Sequence, residues 1–211
     1  MDQFLVVPEP WADRARRFAA GGIAAVPARP AATVALLRDG ASGLEVFLLR
    51  RARTMAFAGG MYAFPGGKLE PGEDAAGAAV REVYEETGVR LAPDDLAAWA
   101  HWITPIFEER RYDTRFFVAA LPPGEDARNI SREATETVWA RPAAALDRLR
   151  RGEILMLPPT AVTLVELSDY IAVREAISDA ASRVISPITP QAVVDDTMVR
   201  LALPGDPAWR D

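Results

Sequence analysis

The chain has 211 residues, half of them hydrophobic, and a formal net charge of −6. It contains no cysteine, which excludes disulfides, thiolate metal sites and a cysteine nucleophile. A single histidine, His101, is too little for a histidine-rich zinc site, so a structural or surface role is favoured for it over a catalytic one. Lys and Arg are scattered along the chain, which argues against nucleic acid as a partner. An acidic protein that handles an anionic substrate needs local positive charge, and a bound cation supplies it.

Residues 1–30 are predicted to be an N-terminal arm, with an amphipathic stretch over residues 11–20. Residues 31–211 are predicted to form one domain, because a chain of this length suits a single core. No basic leader precedes an apolar run, and no stretch reaches the roughly 18 apolar residues that a membrane span needs. The sequence therefore predicts a cytoplasmic location and no membrane partner.

The order of elements predicts a mixed sheet with helices packed on it. Strands are expected over residues 33–37, 44–49, 100–104, 114–121, 136–140 and 199–203, and helices over residues 142–151 and 160–181. Glycine and proline crowd residues 55–72, which predicts an irregular loop that approaches a ligand closely. The clearest helix runs from about Asp74 to Thr87 and ends at Gly88, a residue typical of helix C-caps.

One face of this helix is acidic. On a helix of 3.6 residues per turn, Glu85 lies about −60° and Glu86 about +40° from Glu82, so the three carboxylates share a face about 100° wide. They repel one another and lie toward the C-terminal end, where the helix dipole disfavours anions. A divalent cation such as Mg²⁺ reverses that cost. The pattern therefore favours a metal site, with a solvated acidic face as the alternative.

Gly67, five residues, Glu73, seven residues and then Arg-Glu-Val-Tyr-Glu-Glu-Thr-Gly-Val over residues 81–89 resemble the Nudix box at every defined position. The resemblance implies the Nudix fold, an α/β/α sandwich with a mixed sheet, a loop–helix–loop box and additional C-terminal helices. It also implies that Mg²⁺ or Mn²⁺ is bound by Glu82, Glu85 and Glu86, with the Gly66 carbonyl as a further ligand. Glu73 and Arg81 would orient the helix and its carboxylates.

The reaction that the resemblance implies is attack of water on a phosphorus of a nucleoside diphosphate linked to another group. Arg81, Glu82 and Glu85 would belong to the catalytic set, with Glu82 or Glu85 as a candidate general base. Many members of the family recruit an acid outside the box. Glu133, in a polar loop before a predicted strand, is the leading candidate, and Glu136, Glu108 and Glu109 are alternatives.

Substrate contacts are predicted for Arg51 and Lys68 on the phosphates, and for Phe57 and Tyr62 on an adenine or acyl group. Further candidates are Arg110, Arg111, Arg115, Met61 and Trp102. The stretches 48–51, 55–67, 102–105 and 111–117 resemble the Nudix branch that contains peroxisomal coenzyme A diphosphatases, which implies coenzyme A or acyl-CoA as substrate and, at family level, a homodimer.

The chain lacks the histidine-containing motif of the fuller coenzyme A signature, and its last four residues are no peroxisomal address. ADP-ribose and NADH therefore stay open as substrates. A Nudix-fold module that binds a nucleotide without catalysis is the alternative from another class.

Overall fold

The computed structural model describes residues 11–55, 57–195 and 198–209. The first ten residues of the predicted arm lie outside this range. The described part of the arm contains helix α1 (Trp11–Ala19), where the amphipathic stretch was predicted. The first strand already begins at Arg29, and the domain boundary at residue 30 stays a prediction.

Within the described residues, the main sheet is mixed and has eight strands. They are β1 (Arg29–Gly40), β2 (Gly43–Arg51), β3 (Tyr62–Ala63), β4 (Gly66–Lys68), β5 (Ala97–Ile103), β6 (Tyr112–Ala120), β7 (Ala134–Ala140) and β8 (Pro187–Ile188). The order is β3-β2-β1-β6-β5-β8, while β4 pairs with β1 and β7 pairs with β2. Strands β1 and β6 run parallel, as do β5 and β8, and the other pairs are antiparallel. A separate hairpin consists of β9 (Gln191–Val194) and β10 (Val199–Ala202).

The helices after α1 are α2 (Ala75–Thr87), α3 (Pro142–Arg150), α4 (Pro158–Leu167) and α5 (Val173–Ala180), and a 3₁₀ turn covers Pro93–Asp95. The prediction of one helix over residues 160–181 was wrong. The Ser168 hydroxyl donates back to the Val165 carbonyl, and the Glu175 carboxylate accepts hydrogen bonds from the amides of Ile171 and Ala172. These side chains satisfy backbone groups at the end of α4 and the start of α5, which separates the two helices.

The prediction of an irregular loop over residues 55–72 was wrong for two short segments. Strand β3 pairs with the end of β2, and β4 pairs with the N-terminal half of β1 opposite residues 31–33. Both are held by partners distant in sequence, which local glycine and proline content does not report.

Helices cover both faces of the sheet, because strand residues alternate between two cores. Leu36 and Phe47 face α2, while Leu37, Val46 and Leu48 face the side of α3, α4 and α5. This arrangement confirms the α/β/α sandwich. A third cluster joins α1 to the loop after β5 and to the hairpin, through Ala12, Ala15, Phe107, Val199 and Leu201.

His101 is buried, and its Nε2 lies 2.5 Å from Oδ1 of Asp113 on the neighbouring strand. This environment agrees with a structural role. Among the described residues, no helix combines the length and apolar character that crossing a membrane requires.

Candidate active site

Helix α2 presents the acidic side chains to strand β4. Its N-cap is Asp74, whose side chain accepts a 2.7 Å hydrogen bond from the Gly77 amide, and it ends at Gly88, which has φ 79° and donates to the Tyr84 carbonyl. Such caps fix where a helix begins and ends. Because Ala78, Ala79 and Val83 are buried against the sheet, the orientation of the acid face is determined by packing.

Arg81 connects the acidic residues of the box. Its guanidinium donates to both Glu73 oxygens at 3.0 and 2.9 Å, to Glu82 at 2.8 Å and to Glu85 at 3.4 Å. It also donates to the Lys68 carbonyl at 2.9 Å, which attaches α2 to β4. The hydrogen bond with Glu73 is the main cause of the raised pKa of Arg81 and of the lowered pKa of Glu73. A planar guanidinium holds several carboxylate oxygens in fixed positions at once.

Glu82, Glu85 and Glu86 are here called the acid set. Glu86 is its most deeply buried carboxylate, with 4% of the residue surface exposed. Burial raises its pKa to about 7, against the lowering effect of a 2.8 Å hydrogen bond from the Gly66 amide. Burial also raises the pKa of Glu82, whereas the hydrogen bond from Arg81 lowers it. A carboxylate taken out of water favours the neutral form unless a cation or enough donors compensate.

Gly66 and Gly67, at the start of β4, lie where neighbouring atoms approach the backbone closely. At Gly66, which has φ 156°, a β-carbon would collide with the Ala32 carbonyl and with Thr33 on strand β1. At Gly67 a β-carbon would collide with the Glu82 carboxylate. Glycine therefore lets β4 lie directly between β1 and the acid face of α2.

In the part of the chain that the structure describes, no three His, Cys, Asp or Glu side chains are already grouped to hold a metal ion. Glu82 and Glu85 turn toward Arg81, and Glu86 turns toward Gly66. The donor set nevertheless fits a hard divalent cation, which prefers carboxylate oxygens and offsets the cost of burying neighbouring acids. The role of the Gly66 carbonyl as a ligand stays a prediction.

Among the acids outside the box, Glu133 approaches this set. Its negative charge raises the pKa of both Glu82 and Glu86. Glu136 instead faces Arg50 at 3.8 Å and the Tyr62 hydroxyl. Glu109 pairs with Arg14 of α1, and burial raises the pKa of Glu108 against the opposing charge of Arg14.

Arg51 connects Glu86 of the acid set with the loop that carries Phe57. Burial raises the pKa of Glu86, and the charge of Arg51 opposes this effect. The Arg51 Nε donates to the Phe57 carbonyl at 3.3 Å. The Phe57 ring packs edge-on against Tyr112, with ring centroids 4.9 Å apart. Tyr112, at the start of β6, was not among the predicted site residues, since its pairing with Phe57 depends on the sheet order.

The remaining predicted contacts are dispersed. Lys68 is exposed on β4, beside the acid set. Tyr62 is 3% exposed and belongs to the core on the side of α3 to α5. Arg111 is tied to the carbonyls of Thr104 and Val26.

In the metal-free protein, Glu86 is expected to make the free energy of unfolding fall by about 2–3 kcal/mol between pH 5 and pH 8. Its pKa is about 7 in the folded protein against a reference of 4.5. The stabilising effect of its neutral form is therefore complete below the unfolded pKa and is lost as the pH rises through 7. Urea unfolding in EDTA at both pH values should show a smaller decline in Glu86→Gln than in the wild type. The same decline in both would contradict the assignment.

Helix α2 carries clustered carboxylates over a mixed sheet, with the glycines of β4 packed against them, as the Nudix resemblance predicts. The NUDIX domain profile matches residues 27–158. The chain belongs to the Nudix family and is a hydrolase of that family. Nudix hydrolases generally use divalent metal ions.

Several relatives are similar over most of the chain. One is a Caenorhabditis elegans protein that is named, provisionally, nudix hydrolase 7. The alignment is 210 positions long with 24% identity, and it covers 79% of this chain and 70% of that protein. The crystal structure of a NUDIX hydrolase from Alicyclobacillus acidocaldarius superposes with a TM-score of 0.65 at 27% identity, covering 72% of this chain and 96% of the other.

The acyl-coenzyme A diphosphatase NUDT19 of Gallus gallus is 29% identical over 124 residues. The match covers 53% of this chain but only 32% of the chicken protein, so the chain spans about a third of that relative.

Proposed function

We propose that this chain hydrolyses a phosphoanhydride bond in a nucleoside diphosphate linked to another group, with Mg²⁺ or Mn²⁺. The observation that carries the proposal is the buried carboxylate of Glu86, whose pKa is raised further by the charges of Glu82 and Glu133. Acids held this close in a family of hydrolases are best explained by a cation that they share with a phosphate substrate.

Each residue has a distinct part in the proposed reaction. Glu82, Glu85 and Glu86 would hold the metal, and Arg81 would keep the first two in place. The bound metal would neutralise phosphate oxygens and lower the pKa of water. Glu133 would accept the proton of the attacking water as its oxygen bonds to phosphorus. The bridging P–O bond then breaks, and its electron pair leaves with the departing phosphate.

The groups beside the acid set suit the rest of the substrate. Arg51 and Lys68 would contact the phosphates, and Phe57 together with Tyr112 would contact the nucleobase. Tyr62 is omitted from this surface because its side chain is buried in the core.

Coenzyme A or acyl-CoA is the finer proposal, supported by the name of the chicken relative. ADP-ribose is the second candidate, because the NrtR NUDIX domain of Shewanella oneidensis, which shares the fold with a TM-score of 0.53 at 15% identity, was crystallised with it. A homodimer and a cytoplasmic location stay predictions.

Replacing Phe57 or Tyr112 by alanine is expected to raise KM for a nucleotide substrate about tenfold, because loss of an aromatic contact to a base costs about 1–3 kcal/mol. The value of kcat should change little, since neither side chain contacts the acid set. Steady-state kinetics with each variant check this. Tyr84→Ala is the matched control, since Tyr84 is an exposed aromatic residue that packs on Arg90 at the end of α2. An equal rise in KM in the control would contradict base contact at Phe57 and Tyr112.

A screen of coenzyme A, NADH, ADP-ribose, dinucleoside polyphosphates and nucleoside triphosphates, each with Mg²⁺ and Mn²⁺, tests the proposal. We expect release of a phosphate-containing product from at least one of them in the presence of metal. Binding without hydrolysis under either metal would favour the nucleotide-binding module instead.

A further inference from the structure

The segment of residues 127–134, here called the clasp, crosses the C-terminal end of helix α2. The amide of Arg128 donates to the Thr87 carbonyl at 3.1 Å, and that of Ile130 donates to the Glu86 carbonyl at 3.2 Å. Ala127 is buried in the core beneath α2. The last carbonyls of a helix have no partner within it. The clasp supplies hydrogen-bond partners for two of these carbonyls. It is therefore bound to the helix that carries the acid set.

At its other end the clasp is fixed to the sheet. The Glu133 carbonyl accepts a 2.7 Å hydrogen bond from the Ala52 amide, and Ala134 pairs with Arg51 across β2 and β7. The Glu133 amide donates to the Ser131 hydroxyl at 3.2 Å. Both backbone polar groups of Glu133 therefore have hydrogen-bond partners. These bonds fix the position of its Cα, and so the point from which its side chain extends, relative to α2 and β2.

Asn129 closes the loop between these attachments. Its Nδ2 donates to the Ala134 carbonyl at 2.9 Å, spanning the turn that contains Glu133. Asn129 is an exposed residue, and its hydrogen bond to Ala134 is only partly buried. A hydrogen bond at such a position stabilises a fold by only about 0.5–1.5 kcal/mol. The main effect of the Asn129 hydrogen bond is therefore on the conformation of the turn and not on the stability of the fold.

We propose that Asn129 is a positioning residue that holds the clasp so that the Glu133 carboxylate stays near Glu82 and Glu86. The proposal rests on the proposed function, in which Glu133 accepts the proton of water. Small misplacements of a reacting group cost large factors in rate, up to about a hundredfold for a shift of about 1 Å. Loss of the Asn129 hydrogen bond therefore acts on kcat through Glu133, and leaves the phosphate and base contacts unchanged.

The test is a double-mutant cycle on the full chain with coenzyme A and with ADP-ribose in Mg²⁺. Asn129→Ala is expected to lower kcat about tenfold and to keep KM within about twofold. In the Glu133→Gln background, which lacks the base, Asn129→Ala should lower kcat no further. Asn129→Gln, which retains the amide donor on a longer side chain, should recover part of the rate. Asp94→Ala, a change at an exposed acid on the 3₁₀ turn after α2, is the control.

A tenfold loss that persists in the Glu133→Gln background would show that Asn129 acts independently of Glu133 and would overturn the proposal. A wild-type rate in Asn129→Ala together with a slow Glu133→Gln would overturn it as well, while leaving the proposed function intact. A wild-type rate in Glu133→Gln would remove Glu133 from the proposed mechanism. Unfolding curves of the four proteins of the cycle, compared at the assay temperature, identify any loss of folded protein.

Discussion

Glu85→Gln is expected to lower kcat about a hundredfold to a thousandfold without changing the fold. The Glu85 side chain is 56% exposed and forms a 3.4 Å ion pair with Arg81. The core therefore loses nothing when the carboxylate becomes an amide of the same shape. In the proposed mechanism the variant loses one anionic ligand of the cation, and several kcal/mol of stabilisation of the phosphoryl transition state depend on that cation. A loss of about 1.36 kcal/mol corresponds to a factor of ten in rate.

The measurement is kcat as a function of Mg²⁺ and Mn²⁺ concentration, together with the melting temperature in EDTA. Asp94→Asn, which neutralises an exposed acid on the 3₁₀ turn after α2, is the matched control and should keep the wild-type rate. A melting temperature close to that of the wild type would show that the fold is intact. Full activity in Glu85→Gln would remove this residue from the metal site and would favour a solvated acidic face.

Helix α2 and its acid face were predictable because their determinants are local. The cap at Asp74, the stop at Gly88 and the spacing of Glu82, Glu85 and Glu86 all lie within one continuous segment. A helical period converts such spacing directly into a shared face. The box glycines were also visible, although the reason for them, the approach of β1 to Gly66 and of Glu82 to Gly67, required the structure.

Features that depend on distant segments were less predictable. Tyr62 has the same aromatic character as Phe57 in the sequence, yet the pairing of β3 with β2 turns Tyr62 into the core. Tyr112 meets Phe57 only because β6 lies parallel to β1, next to the loop that follows β2. Glu133 was the leading candidate outside the box because of its place in a polar loop before a strand, but the contacts of the clasp with α2 and β2 that hold it there required the structure.

Arg81→Ala is expected to lower kcat about a hundredfold and to lower the melting temperature of the metal-free protein. Arg81 supplies hydrogen bonds to three carboxylates and to the Lys68 carbonyl. Without it, Glu82 stays desolvated beside like charges and loses the partner that lowers its pKa. Removing one partner of a partly buried ion pair costs more than the pair itself contributes, because the remaining charge is left uncompensated.

Arg81→Lys separates charge from geometry in this prediction. A lysine restores the positive charge but has one nitrogen, so it cannot bridge Glu73, Glu82 and Lys68 together. We therefore expect the melting temperature of Arg81→Lys to lie close to that of the wild type. Its kcat should recover less than about a tenth of the difference between Arg81→Ala and the wild type. Arg90→Ala is the control, since Arg90 packs on the Tyr84 ring just beyond the same helix. If Arg81→Lys had the wild-type rate, only the charge at position 81 would matter, and the orientation of the carboxylates would have another cause.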